Sequence, residues 1–413
     1  MQKKTNATGT PTSRRPGVGH HSGFWIVAVV FLAVMAYSTI PTPLYPLYQQ
    51  RDHFPAFTIT VIFAAYALGV VVSLFLAGHV SDWLGRRRIL LLAVLLSVVA
   101  AVMFLFWQDV PGLVVARVVD GASVGIITAT ATAHLTELRA VAKPRESPVL
   151  AASVAGAANL GGLSLGPLIG GVFADFLPDP LMLPHLVFLL LLLAAALVVL
   201  VVPETVFVEG PRRPYRPQRV SVPKGAGGSF AIAAFGAFSA FAVLGLFTSL
   251  APTFLVVSFG ATDHLLAGAT TFAVFAAAAA GQIALAALPV RIQITLAMSA
   301  CLVGLGLVAG GGLGSSLVMF IGGGVVSGLG VGLLFKSAVT TAISLAPAGR
   351  KGETLALIFL IAYAGLAIPV LLVGIALSVV PPTPVLLVFI AIVLAATVTA
   401  GALMRARTLK RSE

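Results

Sequence analysis

Residues Thr58–Trp107 read TITVIFAAYALGVVVSLFLAGHVSDWLGRRRILLLAVLLSVVAAVMFLFW, two long apolar runs on either side of a charged turn. About twenty apolar residues in an α-helix rise some 30 Å, the thickness of a bilayer's hydrocarbon core. Each run is therefore long enough to span a membrane, and the turn carries the chain back into water. The whole sequence extends this pattern: 59% of the 413 residues are hydrophobic and 9% are charged, against roughly 25% charged in soluble domains. Lipid must cover much of such a surface.

Working outward, the same ruler finds runs near 24–45, 58–80, 89–107, 111–135, 149–174 and 183–202. A second set follows near 230–257, 265–288, 294–311, 316–345, 354–379 and 384–404. The run from Phe24 to Tyr45 exceeds the roughly 7–15 residues of a signal-peptide core and reads as a retained first span. Residues 1–22 are polar and basic and read as a disordered tail. Residues 203–229, with Arg212, Arg213, Arg216, Arg219 and Lys224, read as a linker between six-helix halves at 23–202 and 230–404, with a short tail at 405–413. Lysine and arginine set orientation. The two tails, the linker and the loops on the same side hold 22 of the 25. The opposite loops hold only Arg51, while Arg117 and Lys336 fall inside spans. Both termini are thus expected in the cytoplasm of a cell (inner) membrane protein. The net charge of +12 sits on one side of the bilayer, so it does not point to nucleic acid.

The halves resemble each other. GASVG at 121–125 and GLGVG at 328–332 lie in spans 4 and 10; GLSLGPLIGG at 162–171 and GLAIPVLLVG at 365–374 lie in spans 5 and 11. Both pairs sit about half a chain apart, as in transporters built from repeats. The turn after span 2, Gly78-His-Val-Ser-Asp82-Trp-Leu-Gly85-Arg86-Arg87-Arg88, can fix topology by charge alone. Its spacing offers more: Asp82 can accept from free amides at a helix N-terminus, Gly85 permits a tight turn, and the arginines can pair with acids. Such contacts can latch two bundles on the cytoplasmic side. The pattern resembles the signature loop of the major facilitator superfamily, Gly-x-x-x-Asp-x-x-Gly-Arg-Arg/Lys. Near Gly281 to Arg291, the equivalent place in the second half, the Asp is missing.

An arginine inside a membrane costs several kcal/mol on insertion scales, so Arg117 in span 4 needs a partner or a wet cavity. Asp120, three residues on, shares its helical face. The pair either pins span 4 in place or borders a pathway on which Asp120 gains and loses a proton. The stretch looks like the superfamily's span-4 arginine motif, associated with proton-coupled exporters, although Asp120 stands where glutamine is more usual. Gly162, Gly166 and Gly170 form one narrow stripe on span 5, and Pro167 can kink it. With Gly171 they are similar to the motif marking the drug:proton antiporter branch. Lys336 in span 10 either snorkels to the interface or faces a cavity. Tyr37, Tyr66, Asn159 and Tyr363 are further candidates for the cavity or for helix–helix bonds.

His20, His21, His53, His79, His134, His185 and His264 have no metal or triad spacing, and the single Cys301 excludes an internal disulfide and a cysteine metal site. No catalytic or metal site, cofactor or enzyme activity is expected; the energy source would be a proton gradient. The expectation is an all-α polytopic membrane protein, twelve helices in two pseudo-symmetric six-helix bundles. It would act as a monomer in the lipid bilayer, exporting a small amphipathic solute, neutral or anionic, by proton-coupled alternating access. A symporter or facilitator importing a metabolite is the alternative within transport. From another class, a transport-inactive sensor would keep the loop but lose the intramembrane charges.

Overall fold

The computed structural model of the chain describes residues 18–147, 149–206, 225–346 and 351–409. Most of the expected N-terminal tail (1–17), most of the linker (207–224) and the last residues of the C-tail (410–413) lie outside them. Among the described residues the regular structure is all helical. The first half comprises α1 (His20–Asp52), α2 (Ala56–Ala77), α3 (Arg86–Phe106), α4 (Val110–Ala142), α5 (Val149–Phe176) and α6 (Leu183–Val199). The second comprises α7 (Gly227–Phe259), α8 (His264–Ala284), α9 (Val290–Leu313), α10 (Leu317–Leu345), α11 (Lys351–Ala376) and α12 (Pro382–Leu409). Eleven of these described helices are long and apolar enough to cross a membrane; α6 is apolar but shorter. Turns at Leu181–Met182 and Leu200–Val201 extend it at both ends.

Several helices outrun the apolar stretches that announce them. α4 continues through Glu137 and Arg139 to Ala142, because polar residues with good helix propensity prolong a helix beyond the bilayer at little cost. α1 already begins at His20 and α12 includes residues 405–409, so the helices take up part of both expected tails. α1 breaks after Thr39, where Pro41 and Pro43 remove backbone donors; a 3-10 turn at Thr42–Leu44 follows, and Tyr45–Asp52 completes the span. α7 widens into a π-turn at Leu246–Leu250, immediately before Pro252.

Glycines decide how the helices pair. A Cβ on Gly162, Gly166 or Gly170 of α5 would run into the α1 backbone at Leu32, Ala36 and Ile40, so the stripe is the α1–α5 contact. In the second half Gly365 of α11 meets Phe238 of α7 in the same way. Gly121 and Gly125 of α4 press on α2 at Tyr66 and Val70, while Gly328 and Gly332 of α10 press on α8 at Val274 and Ala278. The two internal sequence matches therefore mark equivalent helix contacts, and the halves are structural repeats. They meet where α5 packs on α8 and α2 on α11. Gly171 lies against His264 and Leu265, and Gly374 lies against Thr60. Leu190, Leu197 and Val318 are among the large apolar side chains left exposed around the bundle, as a lipid-facing surface requires.

Candidate functional site

Between the halves lies a cavity, partly open to solvent. Its walls come from α1, α2, α4 and α5 and from their counterparts α7, α8, α10 and α11. They are mostly apolar and aromatic. Phe241 packs on Phe335 at 4.8 Å and on Tyr363 at 5.4 Å, and Phe335 on Phe359 at 5.7 Å between ring centroids. Thr39, Asn159, Thr248 and Gln282 add polar groups, and Thr248 is presented by the π-turn of α7.

Arg117 is the cationic side chain of the lining. It is 1% exposed and pairs with Asp120 at 2.8 Å. Its Nη1 also donates to the Ser38 carbonyl at 2.6 Å, where α1 is about to break, and its guanidinium lies 4.4 Å from the centre of the Tyr66 ring. The span-4 arginine thus holds α1, α2 and α4 around one charge. Asp120 is 0% exposed and stands behind it. Arg117 Nε and Asp120 Oδ1 are buried without a hydrogen-bond partner among the described residues, so the pair keeps unused bonding capacity. Neutralising each charge by the other keeps the arginine tolerable at this depth.

Four expected pathway residues meet here: Tyr66, Arg117, Asn159 and Tyr363 line the cavity. The Tyr66 and Tyr363 hydroxyls face each other across the two halves. Tyr37 sits elsewhere, between α1 and α6, with its hydroxyl 3.2 Å from His185 Nδ1. Lys336 is half-buried, and its Nζ donates to the Gln282 carbonyl at 2.7 Å, beside the cavity. Phe241, Phe335 and Phe359 escaped sequence reasoning, because phenylalanine in an apolar run is indistinguishable from a lipid-facing or core residue.

The Gly78–Arg88 loop forms a compact charged knot. A four-residue helix, Ser81–Leu84, leads into Gly85 at φ 101°, a conformation suited to glycine. Arg86 binds Asp82 at 2.5 Å, Glu137 of α4 at 2.8 Å and Ser81 Oγ at 2.7 Å. Glu204, just beyond α6, accepts from the free amides of Arg86 and Arg87 at 2.8 and 3.1 Å and so caps α3. Any Cβ at Gly85 would meet the Glu204 carboxylate. Asp82 pairs with Arg86 inside its own half, with a side chain 60% exposed. The carboxylate that caps a helix at this loop is therefore Glu204, where the sequence pointed to Asp82.

At the far end of the bundle a carboxylate does join the halves. Asp175, at the end of α5, accepts from the backbone amides of His264 and Leu265 at 3.2 and 2.7 Å and from His264 Nδ1 at 2.8 Å. It caps α8 across the interface.

Paired six-helix repeats around a central cavity with a buried ion pair in its wall define a multi-pass membrane carrier. The sequence profile of the Major Facilitator Superfamily matches residues 26–368, and the chain belongs to that family. The fold is similar to that of the human organic anion transporter MFSD10 (TETRAN), with a TM-score of 0.68 and 17% identity over 92% of this chain and 99% of the other. A point mutant of the nucleoside transporter NupG gives a TM-score of 0.68 at 10% identity over 93% and 99%. The arabinose-proton symporter of Bacillus subtilis (strain 168) is 32% identical over 77 residues, 19% of this chain and 17% of the symporter. An uncharacterized MFS-type transporter of Mycobacterium tuberculosis (strain CDC 1551 / Oshkosh) is 32% identical over 113 residues, 27% of this chain and 16% of that protein. The chain thus matches less than a fifth of the length of either sequence relative.

Proposed function

We propose that this transporter couples proton entry to the export of a small amphipathic solute, neutral or anionic. It does so in the inner membrane of the cell, as a monomer with both termini in the cytoplasm. The observation that carries the reading is the Arg117–Asp120 pair in the cavity wall. With Asp120 ionised the pair is neutral. With Asp120 protonated, Arg117 is left as an uncompensated cation facing the cavity, and the gain or loss of one proton switches the charge that a solute meets. The aromatic walls suit flat apolar bodies, and the arginine suits an acceptor or anionic group. The Gly162–Gly171 motif, with its likeness to the drug:proton antiporter branch, favours export. The fold alone serves many substrates.

The test is Asp120→Asn in proteoliposomes. Gradient-driven transport is expected to disappear while exchange of labelled for unlabelled solute, which needs no net proton movement, persists. Full gradient-driven transport in the variant would reduce Asp120 to a structural partner of Arg117. Proton-coupled import is the second reading, favoured by the local match to the arabinose-proton symporter. The direction of net movement under an imposed gradient separates the two.

A further inference from the structure

Arg117 and Lys336, the two cations inside apolar runs, differ in what holds them. Arg117 carries a carboxylate at 2.8 Å. Lys336 forms no ion pair among the described residues; its Nζ donates to the Gln282 carbonyl at 2.7 Å, in the last turn of α8. One carbonyl uses one of the three donors of an ammonium and cancels none of its charge. An uncompensated charge at membrane depth marks a place where a ligand or an ion is handled.

Its position in the helix is equally informative. Gly332 and Phe335 of α10 line the cavity, and so does Gln282 of α8. Lys336 follows Phe335 and stands one turn beyond Gly332 on the same helical face, toward the Gly78–Arg88 end of the bundle. α10 is packed by α7, α8 and α9, and the half-buried lysine reaches across to α8 rather than out to the interface. The adjoining wall is aromatic: Phe335 meets Phe241 at 4.8 Å and Phe359 at 5.7 Å. Rings and ammonium all belong to the second half, so an aromatic body laid among the rings can turn a charged substituent toward Lys336.

We propose that Lys336 is the anion-selecting residue of the cavity, and that the solute it selects is a flat aromatic monoanion such as an aryl carboxylate. This rests on the reading of the cavity as the site of an amphipathic solute. The ring lies in the Phe241–Phe335–Phe359 cage, and the carboxylate accepts from the donors of Lys336 that Gln282 leaves unused. Arg117, matched by Asp120 while that carboxylate is ionised, is left for a neutral acceptor. The proton-switched pair thus sits in the first half and the anion seat in the second, so selectivity and coupling can be lost separately.

Equilibrium binding to the full chain in lipid nanodiscs, with empty nanodiscs as the blank, tests this with matched probes: naphthoate, its neutral amide and naphthylmethylammonium. Wild type is expected to bind the anion tightest and the cation weakest. Lys336→Gln is expected to weaken naphthoate about tenfold, the scale of one charge-assisted hydrogen bond, and to leave the amide within about twofold. Lys336→Arg is expected to keep the preference for the anion, and Phe335→Leu to weaken anion and amide alike. Lys336→Met, apolar and of similar length, repeats the test if Lys336→Gln fails to fold. Equal losses for anion and amide, or an undiminished preference for the anion, in these uncharged variants would overturn the role of Lys336 and leave the solute cavity standing. A wild type that ranks the amide or the cation above the anion would overturn it whatever the variants do. Wild-type protein that binds none of the probes would overturn the cavity reading, and the anion seat with it.

Discussion

Removing one member of the Arg117–Asp120 pair should cost far more than removing both. In Asp120→Asn the arginine keeps the Ser38 carbonyl and the face of Tyr66 but loses its counter-charge, with a full charge 1% exposed. In Arg117→Leu the carboxylate is left alone at 0% exposure. Breaking a buried pair in this way costs about 3–5 kcal/mol, whereas replacing both partners by uncharged groups of similar size is often close to neutral. The double variant is therefore predicted within about 1 kcal/mol of wild type, which makes the coupling at least about 5 kcal/mol. Unfolding in mixed micelles can be followed by the fluorescence of Trp25, Trp83 and Trp107. Additive single variants, each costing under about 1 kcal/mol, would refute the idea that the two charges compensate each other in a dry wall.

Other consequences concern packing and the two carboxylate caps. Gly166→Val should lose about 1–3 kcal/mol, because the new side chain meets the Ala36 carbonyl, while Gly161→Ala, with open space around it, should be neutral; thermal stability in detergent compares them. Gly85→Ala should weaken the α3 cap through both its positive φ and its collision with Glu204, and adding Glu204→Ala relieves the collision but removes the cap, so the double variant should melt no higher than Glu204→Ala alone. Asp175→Ala removes a cap worth about 1 kcal/mol, which should shift the population closed at the α5–α8 end about fivefold, as read by distances between spin labels placed there.

Span number, the two repeats and the Arg117–Asp120 pair were legible because each is local: an apolar run, a glycine spacing, two charges one turn apart. The glycine stripes named the right helix faces, and the structure added which helix each face meets. What escaped was long-range. His185 looks like a stray histidine until α1 and α6 bring Tyr37 and Tyr48 to it from 148 and 137 residues away. Glu204 looks like a linker residue until the chain folds back to cap α3. The aromatic cage of Phe241, Phe335 and Phe359 has no signature against an apolar background, since hydropathy cannot separate a side chain facing solute from one facing lipid. The breaks in α1 and α7 were signalled only by Pro41, Pro43 and Pro252.

The most direct test of proton-coupled export uses the purified chain in liposomes. A pH gradient is imposed, and a panel of neutral, anionic and cationic amphipathic compounds is followed together with internal pH. Proton-coupled export predicts that a neutral or anionic compound moves against the proton flow and collapses the gradient as it does so, and that Asp120→Asn abolishes both movements together. Internal pH that is indifferent to every transported compound would contradict it.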